Sequence, residues 1–499
     1  MINDYVRPTK SLQQIIDFRI EKLNKLKDAG INPYPHRFKP THSSSDVLGQ
    51  FEENEKKTVI VAGRIMALRK MGKASFTHIM DGAGRIQIYV RRDDVGEESY
   101  SYFKLLDMGD FIGVKGYIFK TKMGEISIHA EKLTVLSKSI RPLPVVKEKD
   151  GETFDAFSDK EQRYRNRHLD LIVNPEVRDT FIKRTKIINA LRSFLDSRDF
   201  LEVETPVLQP LYGGANARPF VTHHNALDQK FYLRIADELY LKRLIIGGFE
   251  KVYEIAKDFR NEGMDRSHNP EFTMLEYYEA YADYEDTMAL VEEMIRNTAK
   301  VVNAEQITWG DMEIDLSKPF HKKTYFELLK DVSGHDLSKA GYEELISVFN
   351  EMNIDIPENA NISQLLGTLM DDLVEPTLIH PTFIIDYPKE VSPLAKMHRN
   401  GDESLVERFE LIIGGAEFAN SFSELNDPID QRNRLEAQSV LREAGDEEAQ
   451  PVDENFLQAM ECGMPPTGGV GLGVDRLVML LTGNRWIRDV LLFPALRSE

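Results

Sequence analysis

The stretch DFRNEGMDRSHNPEFTMLEYY, residues 258–278, decides the fold. It belongs to a segment, 251–281, that reads as two strands around a polar loop closed by Asn269-Pro270. Strand periodicity puts Arg260 and Glu262 on one face of the first strand, and Phe272, Glu276 and Tyr278 on one face of the returning one. If both faces look into one cleft, a cation, two acids, a phenol and an aromatic plane converge there. The arginine fork suits a carboxylate or phosphate, and Phe272 suits stacking on a base. An ordinary hairpin whose charges pair across the strands fits the same residues.

Two further segments carry chemistry. In 408–424, RFELIIGGAEFANSFSE, the acids Glu410 and Glu417 flank an apolar strand broken by a glycine pair. Asn420, Phe422 and Glu424 then share a face. Carboxylates on an otherwise apolar strand are costly unless they meet cations or a metal, and oxygen-only ligands favour Mg²⁺. A solvated edge strand is the plainer alternative, which Phe418 and Phe422 disfavour. In 468–481, GGVGLGVDRLVMLL, a glycine-rich strand runs into a helix. Its glycines alternate and do not match G-x-G-x-x-G, so a dinucleotide-binding reading fails. A backbone approached closely by a ligand, with Arg476 at a helix start, fits better.

Outward from these segments the chain changes character. Residues 11–29 have the apolar spacing of an amphipathic helix. From Thr58 to Leu136 the pattern is period two, with turn signals at 81–84 and 123–124; about five short strands suggest a small closed barrel of the OB type. A charged segment with two prolines, 139–151, reads as a linker. Beyond it come a long helix over 176–199, the paired strands above, and a mainly helical stretch at 320–380 that offers no chemistry. Paired strands with intervening helices point to an α+β body around an antiparallel sheet.

The 499 residues carry a net charge of −19, which at face value argues against a nucleic-acid partner. The partition says otherwise. Residues 1–150 hold 26 basic against 19 acidic side chains, and the rest 37 against 63. Such a basic module on an acidic body fits a polyanion at one end and a cationic or metal-dependent substrate at the other, although drift of surface charge is the bland alternative. A single cysteine, Cys462, excludes a disulfide framework and a multi-cysteine zinc site, suits a reducing cytoplasm, and reads as a small buried filler. His223 and His224 lack metal-ligand spacing, and Met1–Lys10 lacks the apolar core of a secretion signal. No stretch is long and apolar enough for a membrane helix.

Taken together, the segments resemble the three signature motifs of class II aminoacyl-tRNA synthetases, most closely the lysyl-specific family of the bacterial type, over essentially the whole chain. Motif 1 resembles the helix running through Asp199–Pro206, motif 2 is Phe259–Glu262 through Glu276, and motif 3 is Gly471–Arg476. The resemblance implies an N-terminal OB-fold β-barrel that binds the anticodon (1–145), a linker (146–160), and a class II catalytic domain on an antiparallel sheet flanked by helices (161–499). It also implies activation of L-lysine by ATP, transfer to tRNA-Lys, a Mg²⁺ cofactor, a homodimer built through motif 1, no membrane partner and a cytoplasmic location.

By the same resemblance Arg260 and Arg476 are the catalytic cations. Arg260, Glu262, His268, Phe272, Glu410 and Arg476 hold ATP. Gly214, Glu238, Arg260, Glu276, Tyr278, Asn420, Phe422 and Glu424 hold lysine. Glu410 and Glu417 bind the metal, and Arg64, Phe76 and Gln87 read the anticodon. An aspartate-specific relative would need a cation where this pocket offers Glu276 and Glu424. The alternatives are a tRNA-independent lysyltransferase acting on a protein, which would lack the barrel, and a non-catalytic RNA-binding homologue, which would have lost motif residues.

Overall fold

A computed structural model describes residues 11–49, 51–144, 147–149, 152–154, 157–357, 360–443 and 450–498. Met1–Lys10 and parts of the expected linker lie outside them; within that linker Lys147–Lys149 pairs with Glu152–Phe154. The chain divides into two compact units, 1–157 and 158–499.

In the first unit, Leu12–Asp28 is a helix opened by a capping box at Ser11 and Gln14, which satisfies end donors that the helix itself leaves free. Five strands follow: Thr58–Met71, Ala74–Met80, Arg85–Arg91, Phe111–Lys120 and Ile126–Ser137. They close into a barrel. Alternation sorts their side chains. Val59, Val61, Ile86, Ile88, Ile112, Val114 and Ile128 fill the interior. Arg64, Phe76 and Gln87 stand among the outward-facing residues of three adjoining strands.

The second unit is built on an eight-stranded sheet. Its strands lie in the order His321–Thr324, Thr382–Pro388, Leu405–Ile413, Ala416–Ser423, Thr467–Gly473, Glu271–Ala280, Lys251–Phe259 and Leu201–Glu202. The six inner strands run antiparallel, and each edge strand joins in parallel. One face packs on the helices Pro175–Asp196, Tyr284–Val301 and Val474–Thr482 through Leu191, Phe194, Val291, Ile295, Leu472 and Val478. The other face carries the site.

The helical stretch has its own core, with Tyr325, Leu329, Leu345, Phe349, Leu365 and Leu369 from the helices Tyr325–Ser333, Tyr342–Met352 and Ile362–Leu369. Asp199–Pro206 departs from expectation. The helix stops at Asp196, Asp199 takes a positive φ of 64°, and Leu201–Glu202 becomes an edge strand beside Val252 and Tyr253. Pro206 cannot supply an interior helix donor. Cys462 also departs: it is exposed at the end of the helix Glu454–Glu461, not buried.

Candidate active site

Three neighbouring strands shape one cavity of about 460 Å³ on the open face of the sheet. The middle strand, Thr467–Gly473, pairs Gly469 with Tyr278 on one side and Phe422 on the other, and Gly471 with Glu276 and Asn420. Val470 and Leu472 point into the core, so the alternating glycines leave the cavity side of this strand without side chains. A Cβ on Gly469 would overlap the Glu424 carboxylate and the Tyr278 ring. The glycine pattern therefore makes room for acids supplied by the neighbours.

One end of the cavity is acidic. Glu276 accepts hydrogen bonds from the Asp237 N–H at 3.3 Å and the Tyr278 hydroxyl at 3.2 Å. Burial, then Asp258 and Glu238, push its carboxyl well above the usual range. Glu238 opens the helix Glu238–Ile246, and Gly214, at a φ of 88°, lies against it. Burial pushes Glu424 up to about 8, with Lys242 opposing the rise and Glu238 adding to it. Lys242, absent from the sequence reading, is fully buried and ion-paired to both Glu238 and Glu424. Its one readable signal was the i,i+4 spacing from Glu238 on the same helix.

Behind this end Arg234 pairs with Asp237 at 3.1 Å, Glu254 at 2.8 Å and Asp258 at 3.3 Å. The sequence reading missed this network as well.

The other end is cationic and aromatic. Arg260 and Glu262 lie past the strand end at Phe259, so the expected strand alternation does not place them; the loop does. The Arg260 N–H bonds the Pro270 carbonyl at 3.0 Å and that of Asn261 the Arg218 carbonyl at 2.8 Å. The Arg260 guanidinium stands 5.0 Å from the Phe272 ring centre, and its Nε is buried with no hydrogen-bond partner among the described residues. Arg476 donates to the Glu417 carbonyl at 2.6 Å, pairs with its carboxylate at 3.3 Å, and lies 3.4 Å from His268 Nε2. His268 is exposed and anchored to Asp265 at 2.8 Å. Asp475 accepts the Thr273 N–H at 2.8 Å and pairs with Arg184 at 2.6 Å, fastening the helix start to the strand.

Glu410 and Glu417 sit on the hairpin turned by Gly414-Gly415, both at positive φ. Glu410 accepts from Tyr387 at 2.9 Å, Asn420 at 3.2 Å and Arg408. Arg408, another residue the sequence reading missed, also donates to Asn420 at 3.1 Å. All the predicted ATP, lysine and metal residues line this one cavity.

Residues 159–497 match the model of "tRNA synthetases class II (D, K and N)", and 59–136 match that of the "OB-fold nucleic acid binding domain". The chain belongs to the class II aminoacyl-tRNA synthetases. Among class II relatives, the lysine–tRNA ligase of Carboxydothermus hydrogenoformans is 50% identical over 98% of this chain and 99% of its own. That of Pelotomaculum thermopropionicum is 52% identical over 98% and 96%, and that of Porphyromonas gingivalis 51% over 98% and 86%. Within this class II synthetase the OB-fold match falls on the barrel. There Phe76 lies 4.9 Å from Tyr89, Gln87 donates to Glu125 at 2.6 Å, and Arg64 stands over Phe111 at 4.2 Å.

Proposed function

We infer that this chain is a lysine–tRNA ligase: it activates L-lysine with ATP and transfers it to the 3′ end of tRNA-Lys. The observation that carries the lysine assignment is the closed acidic end of the cavity, where Glu238, Glu276 and Glu424 gather opposite Arg260. One acid ~4 Å from an ammonium contributes about 4 kcal/mol of Coulomb attraction at an effective dielectric near 20, before desolvation. The same acid repels the side chain of aspartate.

Arg260 takes the lysine carboxylate and the α-phosphate, which completes its orphaned Nε. Phe272 and Arg476 face the adenine from either side, Glu262 reads its amine, and His268 meets the outer phosphates. Glu238 beside Gly214 holds the α-ammonium. Glu276, Tyr278 and Glu424 hold the side-chain ammonium, with Phe422 along the stem and Asn420 near the carboxylate. A lysine carboxylate oxygen attacks the α-phosphorus in line, the bond to the β-phosphate breaks, and pyrophosphate leaves. The terminal ribose hydroxyl of tRNA then attacks the lysyl carbonyl and AMP departs. This chain's part is positioning and charge neutralisation.

The donor set of Glu410 and Glu417 is all oxygen and stands at the phosphate end, which fits Mg²⁺. Bound there, Mg²⁺ would neutralise phosphate charge. Phe76, Gln87 and Arg64 form the anticodon face of the barrel, residues around Asp199–Pro206 the dimer contact, and the cytoplasm is the working location. Among the described residues no helix is long and apolar enough to cross a membrane. The test is Arg260→Ala, which should abolish lysine-dependent ATP–pyrophosphate exchange; near-normal exchange would contradict the assignment.

A further inference from the structure

Lys242 is a buried cation that no step above uses. It rises from the second turn of the helix Glu238–Ile246, is fully enclosed, and bridges two carboxylates from distant parts of the chain. Glu238 lies one turn earlier on the same helix, and Glu424 follows the strand Ala416–Ser423 across the cavity. Its ammonium also stands 5.5 Å from the centre of the Phe422 ring. The other titratable groups at this end are Glu276 and Tyr278 of the strand Glu271–Ala280, with Asp237, Glu254, Asp258 and Arg234 behind them.

A buried ammonium is stabilising only when its partners compensate desolvation. Here the partners are themselves the acids assigned to substrate. Three glutamates line this end of the cavity, and Lys242 pairs with two of them. One oxygen of Glu424 meets Lys242, and the other, Oε1, has no hydrogen-bond donor among the described residues. Lys242 therefore ties down the back of each carboxylate and leaves its front for the ligand.

We propose that Lys242 is a positioning residue for amino-acid specificity: it pins Glu238 and Glu424 in place as acceptors at the two ends of the lysine pocket. The inference rests on the lysine reading of this cavity. Without Lys242 both acids would be buried without a cation, and each would retain its proton to higher pH.

The test is steady-state pyrophosphate exchange across pH with Lys242→Met, Lys242→Arg, Glu424→Gln and the double variant Lys242→Met/Glu424→Gln. Lys242→Met should raise the lysine KM by about tenfold or more, leave the ATP KM within about twofold, and move the rise of kcat/KM for lysine to higher pH. Lys242→Arg, which retains the charge, should restore the parental pH profile. The double variant should raise the lysine KM by less than the product of the two single effects, because only the pairing with Glu238 is left for Lys242→Met to remove, and comparing it with Glu424→Gln stands even if Lys242→Met alone does not fold. A parental lysine KM and pH profile in Lys242→Met, equal rises in lysine and ATP KM, or multiplied effects in the double variant would overturn the proposal. Exchange by the wild-type chain separates the two readings: no lysine activation there removes the pocket assignment, whereas lysine activation with inert Lys242 variants removes only this inference.

Discussion

At the scale of single residues, the acidic end of the cavity makes lysine capture a titration. Burial pushes the Glu424 carboxyl up to about 8, and an ammonium binds its ionised form. Thus kcat/KM for lysine should climb as pH rises toward about 8, and a flat profile between about pH 6.5 and 8.5 would contradict this. The stability consequence has the opposite sign. A carboxyl raised from 4.5 contributes stability that is full below the unfolded value and is lost as pH rises through about 8. Lysine should therefore raise Tm more at about pH 8.5 than at about pH 6.5, as differential scanning fluorimetry would read. Glu424→Gln should raise the lysine KM by about tenfold or more with little change for ATP, since a hydrogen bond to a charged group contributes about 1.5–3 kcal/mol.

At the scale of elements, the site depends on strands that supply no side chain as much as on those that do. Gly469→Ala should abolish lysine activation while far-ultraviolet circular dichroism stays native, because the added methyl occupies the space of the Glu424 carboxylate and the Tyr278 ring. The buried Asp475 makes a different prediction. Arg184→Ala removes its cation and should destabilise the second unit by about 3–5 kcal/mol, read as a loss in Tm or denaturation midpoint.

The strands were legible because alternation is a local property: Phe272, Glu276 and Tyr278 share a face, as do Asn420, Phe422 and Glu424. Alternation failed for Arg260 and Glu262, where the strand ends one residue earlier and backbone hydrogen bonds in the loop aim the side chains. The helix that the resemblance implied through Asp199–Pro206 fails for a different reason: the helix has stopped at Asp196, and Asp199 takes a positive φ. Lys242 was invisible for another reason: its second carboxylate stands far along the chain, and no spacing rule reaches from one to the other. The same holds for Arg184 with Asp475.

At the scale of the whole molecule, the charge partition acquires a physical meaning. The basic first 150 residues contain the barrel, and the acidic remainder contains a cavity with carboxylates at both ends. Phe76→Ala should therefore leave pyrophosphate exchange at parental rates while lowering kcat/KM for tRNA in aminoacylation, by about 5- to 150-fold if a stacked base is worth about 1–3 kcal/mol. Impaired exchange would show that the barrel is not a separate recognition module. Most of the acidity is still ordinary surface, and only the cavity acids bear on the amino acid. Their selectivity is what the account turns on, and it is measured directly by ATP–pyrophosphate exchange with each of the twenty amino acids in turn. Lysine alone should support exchange. Exchange driven by aspartate or asparagine, or none with lysine, would contradict it.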